Sequence, residues 1–172
     1  MSFLIKDNRL NEWAVRKKAV EAQHHINFDS AGKIKFRIRP WSVWWFEIGE
    51  NIGTETGSHF DPLQMSTKRP CVVVSNNNFI QESYNTKVVI MPLTSKKPTT
   101  RVKHFHFELF SGLYLPVSEI SNRMQYDGLE KDSLVICNDI KTIDTKRLIK
   151  AIYPKLHQSD IDGIKVFLRR YF

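Results

Sequence analysis

Apolar and polar positions along this chain follow two periods in turn. From Asp7 to His25 the residues Leu10, Trp13, Ala14 and Val20 recur at roughly helical spacing. Asp7 or Asn8 stands ready as a cap, and Arg16, Lys17 and Lys18 take the opposite face, so the pattern predicts a helix. The turn residues of "NFDSAG", Asn27 to Gly32, break it. Residues 1–32 therefore read as a helical arm, and 33–172 as the main domain.

From Lys33 the period shortens to two. "KIKFRIRP" alternates as a half-buried strand does, and "WSVWWFEIG" continues in the same character after Pro40. Trp44 and Trp45 then point to opposite faces, which assigns one to the core and leaves the other for a surface contact. Asn51 to Lys68 is long, polar and glycine-bearing, as an exposed loop is. Three strands follow: Cys71–Val74, Lys87–Leu93 ending at Thr94 and Ser95, and Arg101–Leu109, which alternates basic with apolar residues. Ser111 to Asp127 shows no clear period and reads as an insertion. "KDSLVICNDIKTID" is a further strand with a polar end. Asp144 or Thr145 caps a predicted short helix containing Leu148 and Ile149. In "SDIDGIKVFLRRYF" the pair Ser159 and Asp162 resembles a capping box, and Ile161, Ile164, Leu168 and Tyr171 fall near one helical face. Short strands, long loops and late helices predict a mainly β (α+β) fold, a small bent sheet or barrel with helices outside.

Composition narrows the class. The chain has 172 residues, 41% of them hydrophobic and 12% aromatic, enough for one domain with a real core. Its longest apolar runs are strand-sized, which excludes a membrane-spanning helix, and "MSFLIKDNRLNEW" lacks the apolar core of a signal peptide. Both cysteines, Cys71 and Cys137, lie inside apolar runs, with no CxxC and no disulfide framework. A cytoplasmic protein is expected. The net charge of +8 and a pI near 9.5 point to a polyanionic partner, either nucleic acid or an acidic protein.

Several segments, taken together and in order, resemble the MazF/PemK family of toxin endoribonucleases. "WWFEIGENIGTETG" is similar to the family's first hairpin and acidic loop. "RPCVVVSNNNF" is similar to its Arg-Pro-strand-Ser-Asn signature, and "VVIMPLTS" to the next strand with its Thr-Ser end. "GLEKDSLVICNDIKTID" and "KRL" are similar to the long strand and the short helix after it. The match spans Trp41 to about Leu148. The resemblance implies an SH3-like, CcdB-type barrel of bent antiparallel strands with appended C-terminal helices, usually as a homodimer. It implies cleavage of single-stranded RNA without metal or other cofactor, and neutralisation by a cognate antitoxin. The sequence departs from the family in the insertions near 58–68 and 111–127 and in the N-terminal arm. It also carries Asn138, Asp139, Ile140 and Lys141 where Glu-Gln-Ile-Arg is common.

By resemblance, Arg69 is the leading catalytic candidate. Its planar fork suits bidentate contact with phosphate oxygens, though pattern alone equally allows a strand-end surface charge. Thr94 matches the hydroxyl after the Pro-Leu strand end, which can donate to a phosphate oxygen or simply close a turn. Glu55 matches the acidic loop position, as a general base or a solvated carboxylate. Ser95, Lys96, Lys97, Lys68, Arg101 and His59 complete a candidate RNA-binding set, a basic margin near the Thr94 strand end. His104 and His106 share a strand face but no further ligand completes a metal site, and Phe105 and Phe107 on the other face read as core. A non-catalytic barrel that binds nucleic acid or a protein such as a topoisomerase is the alternative. A third reading has the arm fold back onto the barrel, against which its Arg and Lys residues argue if the groove is basic.

Overall fold

Aromatic and β-branched runs become the strands of this protein. The computed structural model describes residues 11–19, 38–48, 68–75, 87–99, 101–119 and 124–171. Residues 11–19 form a helix, α1. The strands are β1 (Val43–Glu47), β2 (Lys68–Val73), β3 (Lys87–Ser95), β4 (His106–Leu109), β5 (Val117–Glu119), β6 (Met124–Tyr126), β7 (Ser133–Ile136), β8 (Lys141–Asp144) and β9 (Leu148–Tyr153). A C-terminal helix, α2 (Gln158–Tyr171), follows. The main sheet is antiparallel and runs β4-β7-β3-β2-β1-β9, with β8 on β3 beside β7. β5 and β6 form a separate ribbon.

Strand β3 is the hub. One edge carries β2, and the other carries first β8 and then β7. Between the pairs Leu93↔Val135 and Ile90↔Lys141, β3 has two residues, Met91 and Pro92, whereas the opposite chain has five, Ile136 to Ile140. Pro92 has no N–H to offer the ladder, so the partner chain bulges past it. The excess is odd, and it exchanges faces. Val135 and Cys137 enter the core on one side of the sheet, whereas Ile143 enters the core on the other.

Those cores cover both faces. The first holds Val43, Val72, Met91, Leu93, Leu109 and Val135 against Ile161 and Ile164 of α2. Gly163 makes this fit possible, because a Cβ there would lie 2.4 Å from a Phe107 ring carbon. The second holds Trp44, Phe46, Cys71, Val73, Val88 and Ile90. Trp44 is buried in the second core and Trp45 packs beside the first. Trp45 is only partly buried there, so it keeps an exposed part while both faces of β1 carry a core. Both cysteines are buried and free, and burial pushes the Cys137 thiol up to about 11.

The 111–127 stretch is folded into this plan rather than hung on it. Tyr114 enters the first core and Tyr126 the second. Tyr126 donates to Glu119 Oε2 at 3.0 Å, and Arg39 donates to Glu119 Oε1 at 2.8 Å. The chain turns back at Gly128, φ 77°, where a Cβ would lie 2.3 Å from the Tyr114 carbonyl oxygen. That position is open only to glycine.

Tyr114 donates its hydroxyl hydrogen to Asp160 in the first turn of α2. Burial, then this bond, raises the hydroxyl's pKa above its ordinary value. A raised folded-state pKa contributes stability that is complete below the unfolded value, about 10, and is lost as pH rises through the folded value. Tyr114→Phe is expected to cost about 1 kcal/mol at neutral pH and to flatten the alkaline fall in stability. Urea unfolding at neutral and alkaline pH checks both; an unchanged alkaline limb would contradict the assignment.

Three predicted elements differ from what is observed. Asp144 does cap, accepting from Lys146 N at 2.9 Å, but the turn it starts is a 3-10 segment of Thr145–Arg147. Leu148 and Ile149 belong instead to β9, whose β-branched and aromatic residues pair with β1. The predicted 101–109 strand shrinks to β4, because His104 and Phe105 form a turn. The histidine pair therefore does not share a strand face. Finally, α2 starts at Gln158, which puts Ser159 inside its first turn. Of the predicted 33–39 strand only Ile38 and Arg39 are described, and neither is in a strand.

Candidate active site on the β2–β3 face

The β1–β2 register sets Arg69 opposite Phe46, and Trp44 opposite Cys71. Arg69 thus projects on the second-core face, at the margin of that core. The β2–β3 ladder pairs Cys71 with Pro92. That ladder ends there; two residues further along each strand, Arg69 and Thr94 fall on the same sheet face. Thr94 pairs in turn with Leu134 on β7, and Leu134 with Glu108 on β4. Lys141 faces Ile90 on the same side. One sheet face therefore carries Arg69, Thr94, Lys141 and Glu108, all around the kink at Pro92.

Arg69 is half-buried. Burial pulls its guanidinium below the usual arginine range, and the negative charge of Asp139 opposes that shift. Asp139 lies in the β7–β8 bulge, with its Oδ1 3.4 Å from Lys141 Nζ. Its Oδ2 is buried and has no hydrogen-bond partner among the described residues. Thr94 is half-buried, and Ser95, Lys96, Lys97, Arg101 and Lys68 are exposed. Lys96 is ion-paired with Glu108 and lies 6.0 Å from the centre of the exposed Phe110 ring. Lys103 lies 5.4 Å from the centre of the Phe105 ring. Lys103 N–H donates to His106 Nδ1 at 3.2 Å, and burial and then Lys103 lower the His106 pKa. Together these give a desolvated guanidinium and a hydroxyl on one face, bordered by lysines and aromatic rings. Such a surface suits a phosphodiester with bases to stack.

Of the residues singled out in the sequence, Arg69 and Thr94 lie on one sheet face, and Ser95, Lys96, Lys97 and Arg101 follow the end of β3. Glu55 and His59 lie outside the described residues. Among the described residues, no three His, Cys, Asp or Glu side chains converge as a metal site requires. No helix among them is long and apolar enough to cross a membrane.

A sequence profile of the PemK-like, MazF-like toxins of type II toxin–antitoxin systems matches residues 39–172. The chain belongs to this family. No curated protein matches the sequence. Solved structures with a similar fold include the Mycobacterium tuberculosis toxin MazF-mt6, 17% identical, covering 60% of this chain and 84% of that one, TM-score 0.44. An endoribonuclease from a mycobacterial species is 14% identical, covering 77% and 88%, TM-score 0.43. The MazE–MazF crystal structure from Deinococcus radiodurans is 12% identical, covering 79% and 95%, TM-score 0.47.

A second polar cluster escaped the sequence reading. Glu47, at the end of β1, is 1% exposed. It accepts from Arg16 of α1, Nε at 3.2 Å, in an ion pair. Arg147 donates to the carbonyl oxygens of Glu47 and Ile48 and stacks 5.5 Å from the centre of the Trp13 ring. In this MazF-like toxin the arm does contact the sheet. Its positive charge meets a buried carboxylate rather than a basic groove, which removes the objection drawn from charge. The signal was present in the sequence: a carboxylate inside "VWWFEI" needs a cation if its strand is buried.

Proposed function

We propose that this toxin is an endoribonuclease that cleaves single-stranded RNA at short sequences, using the RNA's own 2′-hydroxyl and no metal. The observation that supports the reading is the half-buried Arg69, on the same sheet face as Thr94, in a chain of this family.

The chemistry follows from the groups. The 2′-oxygen attacks phosphorus, a P–O2′ bond forms and the P–O5′ bond breaks. Charge builds on the nonbridging oxygens of the phosphorane. A guanidinium already partly desolvated meets that charge with less solvent to reorganise. Arg69 is assigned this role and also gives a proton to the departing 5′-oxygen. Thr94 donates to a nonbridging oxygen. The 2′-hydroxyl proton passes to Glu55 or to a nearby histidine such as His59. The products carry a 2′,3′-cyclic phosphate and a 5′-hydroxyl. Lys68, Ser95, Lys96, Lys97 and Arg101 hold the strand by charge and hydrogen bonding. The same basic margin suits an acidic antitoxin segment, and a homodimer is the proposed active form.

The test is incubation of purified protein with a mixed RNA pool in EDTA, followed by mapping of the ends. Cleavage at a short recurrent single-stranded word, with cyclic phosphate and 5′-hydroxyl ends, is expected. A folded protein that leaves the RNA whole would sink the reading and move weight to a binding module.

A further inference from the structure

The bulge between β7 and β8 holds a carboxylate across β3 from the proposed catalytic arginine and within its electrostatic reach, and the resemblance gives that carboxylate no role. We propose that Asp139 is a positioning residue that fixes the plane of the Arg69 guanidinium while the other edge of the guanidinium meets the RNA phosphate. This rests on the ribonuclease reading.

Three observations lead here. The first is placement. Pro92 forces the partner chain out of the ladder, and Asp139 lies in the displaced stretch on the far side of β3 from β2. Asp139 N donates to Ile136 O at 3.1 Å, which closes the turn and holds the residue in place. Bulges of this kind re-aim side chains next to active sites. The second is the unequal use of the two carboxylate oxygens. Oδ1 has the Lys141 ammonium at 3.4 Å, whereas Oδ2 is buried with no hydrogen-bond partner among the described residues. A buried acceptor without a donor is costly and points to a partner that arrives with the working state. The third is that Arg69 feels the Asp139 charge across this gap. A guanidinium has five N–H donors in one plane, enough to serve a carboxylate on one edge and a phosphate on the other. Phosphate binding then draws Arg69 into its working plane, and Oδ2 receives its donor.

The common amide at this position would accept one bond but carry no charge. The Asp139 carboxylate therefore does two things. It orients Arg69, and it repels the incoming phosphate, an effect that Lys141 partly offsets. These effects separate on mutation. Asp139→Ala removes the acceptor, and kcat is expected to fall about 10–100-fold with little change in KM, as loss of alignment does. Asp139→Asn keeps an acceptor and removes the charge. It is expected to recover most of the kcat lost in Asp139→Ala and to lower KM several-fold, by about the amount one like charge near the phosphate contributes.

Single-turnover and steady-state cleavage of a mapped RNA site would be measured for wild type and both variants, with thermal midpoints alongside. Unchanged kcat in Asp139→Ala would overturn the proposal. So would equal damage in Asp139→Asn, which would make the carboxylate a base, or losses that track the unfolded fraction. A wild type that cuts normally beside unaffected variants removes this proposal and leaves the ribonuclease reading standing. If wild type cuts nothing, the coupling is read without chemistry. Binding of a 2′-deoxy oligonucleotide is measured in a double-mutant cycle of Arg69→Ala with Asp139→Asn. Non-additive affinities support the pairing; additive ones, or no binding at all, overturn it.

Discussion

Arg69→Ala is expected to reduce RNA cleavage about a thousand-fold or more while leaving the protein folded. The size follows from what the residue would do. A single preorganised donor to developing charge is worth about 10²–10³ in rate, and an arginine that meets a phosphoryl transition state reaches about 10³–10⁵. The fold should survive because the charge is held at the margin of a core rather than within it, and burial already disfavours that charge. Removing it relieves a desolvated group rather than breaking a packed one. Arg69→Lys is the informative companion. It keeps the charge and loses the fork, so it should recover part of the rate and little of the alignment. Cleavage of a mapped RNA site, with circular dichroism as the folding check, measures both. Full activity in Arg69→Ala would remove the residue from the mechanism, whatever became of Thr94.

Glu47→Ala carries the largest expected loss of stability. Glu47 is a buried carboxylate ion-paired with Arg16 from the arm, while Arg147, from the turn before β9, bonds the Glu47 and Ile48 carbonyl oxygens and feels the Glu47 charge. Burial pulls Arg147 below the usual arginine range, and Glu47 and then Asp144 oppose that shift. Taking away one member of a buried pair leaves the other charge uncompensated, which costs about 3–5 kcal/mol when both are enclosed. The Arg16 side chain is 36% exposed. Water screens that half of the cluster, so a loss of about 2–4 kcal/mol is the better expectation. Arg16→Ala should cost less, about 1 kcal/mol, since Arg16 is partly exposed and the charge of Arg147 still acts on Glu47. Urea denaturation of the two variants ranks them. Equal costs would place the stabilising contact with the arm, and a negligible cost for Glu47→Ala would mean that the cluster is incidental to the fold.

Most of the strands, and the place of Arg69 at the start of one, were legible in the sequence for a physical reason. Runs such as "CVVV" and "KVVIMPL" have no stable alternative to a buried strand, and Arg-Pro marks where such a strand begins. Thr94 was legible because a strand end needs a hydroxyl or a turn. Long-range events were not legible. β9 looked like helix because its pairing partner, β1, lies a hundred residues earlier, and that pairing overrides local propensity. One of Trp44 and Trp45 was left for a surface because alternation assumes one wet face, whereas both sides of β1 here pack on a core, Trp45 only in part. Asp139 was noted only as a departure from the common amide, and its orientation was hidden because β7 and β8 read as one strand. The alternation that should have revealed its orientation changes phase inside the bulge, and nothing local to "ICNDIK" announces the obstacle at Pro92 on another strand.

That change of phase constrains how this region can vary. The chain from Ile136 to Ile140 carries an odd surplus over the strand beside it, and the surplus decides which side Lys141 and Ile143 face. Adding or deleting one residue would turn Lys141 away from its partner and drive Thr142 toward the core in place of Ile143. Adding or deleting two would keep every side chain on its present side and change only the reach of the loop. Viable length changes in descendants of this toxin should therefore come in even steps, so the stretch conserves parity more strictly than it conserves residues.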